Sequence, residues 1–403
     1  MRLDEKWLGN LLKIENGACR KMIDLTSFYG EIISRIDAQI PNIRISEARL
    51  YISEQKYYKP FVIATGRSVV SRNFLIFLYT RNNIFGVGEA GLPRENIEAF
   101  FKDAFSILRS YVGKTINFAI RDLLKRNDLS KNLRLGIATA LLDLATREMT
   151  IRFGEIFGKL HTEEILTDIT IGIEDIESTE KDLRFALDNG FKIIKLKVGS
   201  GDLKTDLKRI KLVNEGIPED CKLRIDANQG WTFEDAVNAI KFIETEGIQL
   251  EFIEQPLKKD KISEIGKLRD MTEIPILADE SIQHLEDLDK VSNFVDGVNI
   301  KITKAGDPVE AFLIGINAKE LGLKVMIGCS GESNIGITVD SYLASTIPVD
   351  YADLDSDILK EDVLKEKVTK VINSKRILPR DAGLGIHSDN IIWEKLSLKY
   401  MNK

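Results

Sequence analysis

The sequence predicts an α/β protein: a (β/α)8-type barrel preceded by an α+β domain. Two observations carry that prediction. From residue 166 onward, eight short runs rich in β-branched residues alternate with segments of helical period, at a repeat of about 25 residues. Before residue 160 the order differs, with three strand-like runs in succession and then a long helical stretch. Eight parallel strands, each followed by a helix, fit a closed barrel better than an open doubly wound sheet. With 403 residues, 43% of them hydrophobic, the chain has room for two or three domains with full cores.

Residues 1–42 read as a helical extension. Trp7, Leu8, Leu11, Leu12 and Ile14 mark one amphipathic face, and Ile23, Leu25, Phe28, Ile32, Ile33 and Ile36 mark another, ended near Pro41. No chemistry is assigned to them; a subunit interface in a homo-oligomer is one use for such a segment. Residues 43–160 form the α+β domain. Its strand runs are 43–53, 70–80 and 84–88, with a turn at 81–83, and its helical stretch runs from about 94 to 158. Within that stretch, 135–149 is apolar nearly all round, as a buried helix would be. The sequence GVGEAG at 86–91 satisfies G-x-G-x-x-G, but it ends an antiparallel meander and opens no βαβ unit. It is therefore read as close-packed backbone and not as a dinucleotide site. Residues 161–375 carry the barrel, with strands in 167–173, 191–198, 222–228, 250–256, 274–281, 296–303, 324–330 and 350–355. Residues 376–403 form a C-terminal segment.

Composition excludes several classes. Cys19, Cys221 and Cys329 are too few and too scattered for a disulfide framework, and His161, His284 and His387 show no zinc-type spacing. A metal here would be held by oxygen, and so would be a hard ion such as Mg2+. The net charge of −6, with acids and bases interspersed, gives no basic stripe for nucleic acid. The acidic start and the absence of a long apolar run predict no secretory signal, no membrane span and a cytoplasmic location. The expected partner is a small molecule.

Catalytic groups of such a barrel lie at the C-terminal ends of its strands. Read in order, those ends present Lys195 and Lys197, then Asp226, Glu254, Asp279, and then Lys301. A single carboxylate past a strand is usually a helix cap or a solvated loop residue. Three at matched positions on consecutive strands would repel one another unless a cation held them, and Mg2+ would keep its other positions for water and substrate. Lys197 and Lys301 sit on strands four apart in a ring of eight, on opposite sides of that cation, which suits proton transfer on both faces of one carbon. Lys195, on the same strand face as Lys197, is expected with the metal to lower its neighbour's pKa toward that of a base.

Together, K-x-K at 195–197, DANQGW at 226–231, EQP at 254–256, ADES at 278–281 and NIKITKAG at 299–306 resemble the enolase superfamily, muconate-lactonising subgroup. The resemblance runs from about residue 43 to 386, including VGEA at 87–90 and GLGI at 383–386. It implies that 43–160 caps the barrel and that the chain's last residues return to the cap. It also implies Asp226, Glu254 and Asp279 as Mg2+ ligands, Lys197 and Lys301 as acid/base lysines, and Lys195 as a support for Lys197 and the substrate carboxylate. Asn228, within DANQGW, is placed at the substrate. The implied chemistry is abstraction of a proton α to a carboxylate through an enediolate. No histidine stands at an assigned strand end, so the His-Asp base of mandelate-racemase-like relatives has no candidate.

Within the subgroup, three features favour a dipeptide epimerase. Asp353 and Asp355 share a face of the last strand and resemble the D-x-D that holds a substrate ammonium. The first strand, TDITIGI, is similar to that of dipeptide epimerases. The segment YKPFVIATGRS at 58–68 resembles their specificity loop, where Arg67 could meet a second substrate carboxylate. Glu332 is also placed near the substrate. Asp307, where a second glycine is usual, and Gly331, where a bulkier residue is common, depart from the pattern. The expectation is a Mg2+-dependent epimerase of a dipeptide such as Ala-Glu. The alternatives are an N-acylamino acid racemase, a cycloisomerase or an o-succinylbenzoate synthase-like enzyme, and, outside catalysis, a binding protein for a cationic ligand.

Overall fold

A computed structural model describes residues 23–402. The N-terminal face around Trp7 lies outside them. Helix α1 (Leu25–Gln39) opens the described chain on an Asp24 cap that accepts from Ser27 N, and it buries Phe28, Tyr29, Ile32, Ile33 and Ile36.

The antiparallel sheet consists of β1 (Ile45–Ile63), β2 (Gly66–Thr80) and β3 (Phe85–Gly91), with the C-terminal strand β15 (Leu396–Asn402) on its outer edge in the order β15-β1-β2-β3. Helices α2 (Ile97–Tyr111), α3 (Ile116–Leu124) and α4 (Lys131–Glu148) follow, so the expected helical stretch is divided into three. Thirteen residues of α4 are buried, from Leu133 to Thr146, as its all-round apolar pattern requires. The glycines of GVGEAG are close-packed backbone: a Cβ on Gly86 would run into Ala140 O and one on Gly88 into Gly136 O, both on α4.

Residues 58–68 need correction. They are not a loop but the outer half of a long hairpin, with Phe61 opposite Ser68, Val62 opposite Arg67 and Ile63 opposite Gly66. The register slips between Lys56 and Phe61, where Pro60 supplies no N–H. That slip breaks the period-two pattern which would otherwise have marked a strand.

The eight barrel strands are β5 (Ile169–Ile171), β6 (Ile193–Lys197), β7 (Lys222–Asp226), β8 (Leu250–Glu254), β9 (Ile276–Ala278), β10 (Gly297–Ile300), β11 (Lys324–Gly328) and β12 (Tyr351–Asp353), parallel and in chain order. The connecting helices are α5 (Ile176–Asp188), α6 (Leu203–Gly216), α7 (Phe233–Thr245), α8 (Ile262–Arg269), α9 (Asp287–Val291), the single turn α10 (Ile302–Ala305), α11 (Pro308–Glu320) and α12 (Asn334–Thr346). Among the described residues no ladder joins β12 to β5. Side chains close that seam instead: Leu354 N donates to Thr167 Oγ1 at 2.9 Å, Thr170 N to Asp355 Oδ2 at 2.6 Å, and Arg224 Nη1 to both Asp168 Oδ2 and Ala352 O. A three-stranded sheet of β4 (Glu164–Leu166), β13 (Lys370–Ile372) and β14 (Lys375–Ile377) completes the strands.

Two buried carboxylates tie the parts together. Asp143 of α4 accepts from Val87 N and from Leu384 N, so the strand GVGE and the closing GLGI meet on one side chain. Glu89 of β3 accepts from Ser333 N, Ser333 Oγ and Gly336 N at the start of α12.

Candidate active site

The strand-end carboxylates converge. Oxygens of Asp226, Glu254 and Asp279 lie within 4.8 Å of one another, and all three residues are buried. The pairing places them there: β7 and β8 are in register at Asp226 and Glu254, and Glu254 faces Leu277, two residues before Asp279. Lysines surround the cluster. Lys195 Nζ is 2.7 Å from Glu254 Oε2, 3.4 Å from Asp226 Oδ2 and 2.6 Å from Asp353 Oδ2. Lys197 Nζ pairs with Asp226 Oδ2 at 2.5 Å, and Lys301 Nζ with Asp279 Oδ2 at 2.9 Å.

The electrostatics follow from burial and charge. Burial and the Asp226 charge push Glu254 up to about 7. Asp279 moves the opposite way, because Lys301 and Lys304 outweigh burial and hold it well below the carboxylate range. Burial opposes the charges of Lys195 and Lys301, but the carboxylates around them win and raise both well above the ordinary lysine value. With no further cation, then, the acids hold these lysines protonated.

The carboxylates fit a hard divalent ion. The donor set is all oxygen, and Glu254 Oε2 is buried with the Lys195 charge beside it but no hydrogen bond.

Above the cluster a cavity of about 920 Å3 opens between the barrel rim and the antiparallel sheet. Lys197 and Lys301 line it, with Asn228, Asp353, Asp355 and Glu332 on the barrel side and Arg67 on the β2 side. Lys195 is fully buried below the wall among its three carboxylates. Asn228 N donates to Asp226 Oδ1, and its side chain reaches Glu280 at 3.3 Å. Asp355 is held by Thr170 N, and Glu332 accepts from Ser330 N while its other oxygen has no partner. Arg67 is exposed and makes no ion pair among the described residues. Among the described residues no histidine lines the cavity; His284 is paired with Glu310 outside it.

Sequence reasoning missed several residues here. Lys304 Nζ donates to Asn299 O at 2.8 Å and to both the main chain and the carboxylate of Asp279, fixing that carboxylate from behind. Asn299 donates to Glu254 Oε1 at 2.7 Å. Both lie inside NIKITKAG, and a second lysine three residues after the first was the available signal. Lys360 Nζ, Ser71 Oγ and Asn73 Nδ2 all donate to Gly331 O, which draws the hairpin onto the barrel rim. Nothing local marks those three.

A parallel eight-stranded barrel with buried acids and lysines gathered at its C-terminal rim, roofed by an antiparallel sheet, defines a barrel enzyme of the capped type. Residues 179–392 match the Enolase C-terminal domain-like family, and the chain belongs to the enolase superfamily. It is similar to the L-Ala-D/L-Glu epimerases of Bacillus subtilis (36% identical over 360 residues, 85% of this chain and 96% of that one) and Thermotoga maritima (31% over 325 residues, 78% and 93%). A dipeptide epimerase from Enterococcus faecalis, solved with Mg and the dipeptide L-Leu-L-Tyr, superposes with a TM-score of 0.77 at 28% identity, covering 85% of this chain and 99% of that one. The protein is an isomerase of the epimerase and racemase type. No helix among the described residues is long and apolar enough to cross a membrane.

Proposed function

We propose that the protein is a Mg2+-dependent dipeptide epimerase in which Lys197 and Lys301 exchange the α-proton of a substrate carboxylate. The observation that carries this reading is the placement of the two lysines. Lys197 ends β6 and Lys301 immediately follows β10, four strands apart, both open to the cavity and each paired with a carboxylate of the buried triad. A carbon between them would present one face to each ammonium or amine. Asp226, Glu254 and Asp279 would hold the Mg2+, which when bound would supply positive charge to the developing enediolate and offset the acids that keep Lys301 protonated.

The remaining residues orient the substrate. Asp353 Oδ1 is buried without a partner beside Asp355, and the pair suits the free ammonium of a dipeptide's first residue. Lys195 holds Asp353 and Glu254 in place and adds fixed positive charge near the substrate carboxylate. Arg67 on the hairpin suits a second carboxylate, which favours an acidic second side chain as in Ala-Glu.

A dipeptide library incubated with the enzyme in D2O tests the reading. Deuterium should enter one α-position with inversion. Lys197→Ala and Lys301→Ala should each abolish epimerisation, while one or both still exchange the α-proton of a single enantiomer with solvent. Retention of epimerisation in either variant would sink the two-lysine assignment.

A further inference from the structure

Beside the triad lies a second buried cluster of a different composition. Cys329, at the end of β11, and Asp353 and Asp355, at the end of β12, bring one sulfur and two carboxylate oxygens within 4.8 Å of one another. All three residues are buried yet line the cavity. The Cys329 thiol donates to Asp355 Oδ1 at 3.6 Å, and Asp353 Oδ1, on a residue 4% exposed, accepts nothing. Lys195 separates the two clusters, with its ammonium 2.6 Å from Asp353 and 2.7 Å from Glu254. The protein thus holds two anionic centres on either side of one lysine, the first with oxygen donors only and the second with sulfur and oxygen.

We propose that Cys329, Asp353 and Asp355 form a second, inhibitory metal site that takes a soft or borderline divalent ion, Zn2+ or Cd2+, and excludes Mg2+. One thiolate and two carboxylates leave a fourth tetrahedral position for water, which open zinc sites require. Mg2+ gains little from sulfur and demands octahedral oxygen, so the Mg2+ of the catalytic reaction does not compete here. When the ion binds, the S–H bond breaks, a metal–sulfur bond forms and the proton leaves to solvent, with no change of oxidation state. The bound ion occupies the place that a substrate ammonium would take. That last clause rests on the dipeptide reading above; the site itself does not.

The experiment uses the full-length enzyme in excess Mg2+, titrated with Cd2+ while the ultraviolet thiolate-to-metal charge-transfer band is followed. The expected result is a band that saturates at one Cd2+ per chain, release of one proton, and loss of epimerisation in step with the band. Cys329→Ser should lose the band. The double variant Cys19→Ser/Cys221→Ser should keep it, so a folding defect in the first variant cannot mimic the result. No band in the parent enzyme, or a band that survives Cys329→Ser, overturns the proposal; Cd2+ taken up by the triad gives no thiolate band. Dipeptide should suppress the band. A Cys329-dependent band that no dipeptide suppresses leaves the metal site standing and removes the dipeptide reading instead.

Discussion

Asp307 joins two helices that are far apart in the chain through single atoms. Its carboxylate caps α11 through Val309 N and accepts from Tyr29 Oη of α1 at 2.8 Å on each oxygen, all fully buried. Asp307 thus ties helix α1 to the barrel helix α11. Burial pushes Asp307 up to about 6. Between its ordinary value and 6 the folded state keeps a proton that the unfolded state has released, so this group's contribution to stability falls as pH rises through that window. Asp307→Asn keeps the acceptor oxygen without the charge. It should be more stable than the parent above pH 6, by up to about 3 kcal/mol, with the difference gone below about pH 4; denaturant titrations at a series of pH values measure it. Residues at this scale were legible when their position along the chain revealed their direction, as with Asp226, Glu254 and Asp279, one per strand end. Lys304, Glu89 and Lys360 were not, because each acts on a partner brought to it only by the closed fold.

Among the elements, β3 and α4 pack backbone against backbone, since the glycines of β3 let the two approach where side chains would hold them apart. Gly88→Ala should therefore destabilise the protein by about 1–3 kcal/mol through overpacking, read as a lowered midpoint of thermal unfolding. The matching change at exposed Gly66, whose Cβ would meet nothing, should cost less. Most barrel strands were visible in the sequence, because a buried parallel strand is a short apolar run, whereas the last, Tyr351–Asp353, is short and polar and gave the weakest signal. The hairpin arm was not. Its outer half faces the cavity on one side and solvent on the other, with exposed Tyr58 and Val69, and Pro60 interrupts the alternation. The outer half is fastened to the barrel side by polar contacts, through the Gly331 carbonyl and through Ile173 N to Val62 O and Tyr58 N to Leu359 O.

Over the whole molecule, charge rather than apolar area distinguishes the centre of the barrel. Four lysines (Lys195, Lys197, Lys301 and Lys304) face five carboxylates (Asp226, Glu254, Asp279, Asp353 and Asp355) in a space closed to water on most sides. Buried like charges are costly when unpaired, and within the triad burial and the Asp226 charge raise the Glu254 carboxyl to about 7 despite Lys195 beside it. A divalent ion held by the triad would remove that cost only in the folded state, because the three carboxylates come from residues 226, 254 and 279 and are apart in the unfolded chain. Mg2+ should therefore raise the unfolding midpoint in a concentration-dependent way, by about 2.7 kcal/mol of stability at a hundredfold excess over its dissociation constant. Excess EDTA should reverse the gain and abolish epimerisation together. Asp279→Asn should remove most of the Mg2+-dependent stabilisation while leaving the barrel folded, because Lys304 retains its bonds to the main-chain oxygens of Asp279 and Asn299. Full activity in EDTA, or an unfolding midpoint indifferent to Mg2+, would show that the three carboxylates serve the fold and not a metal.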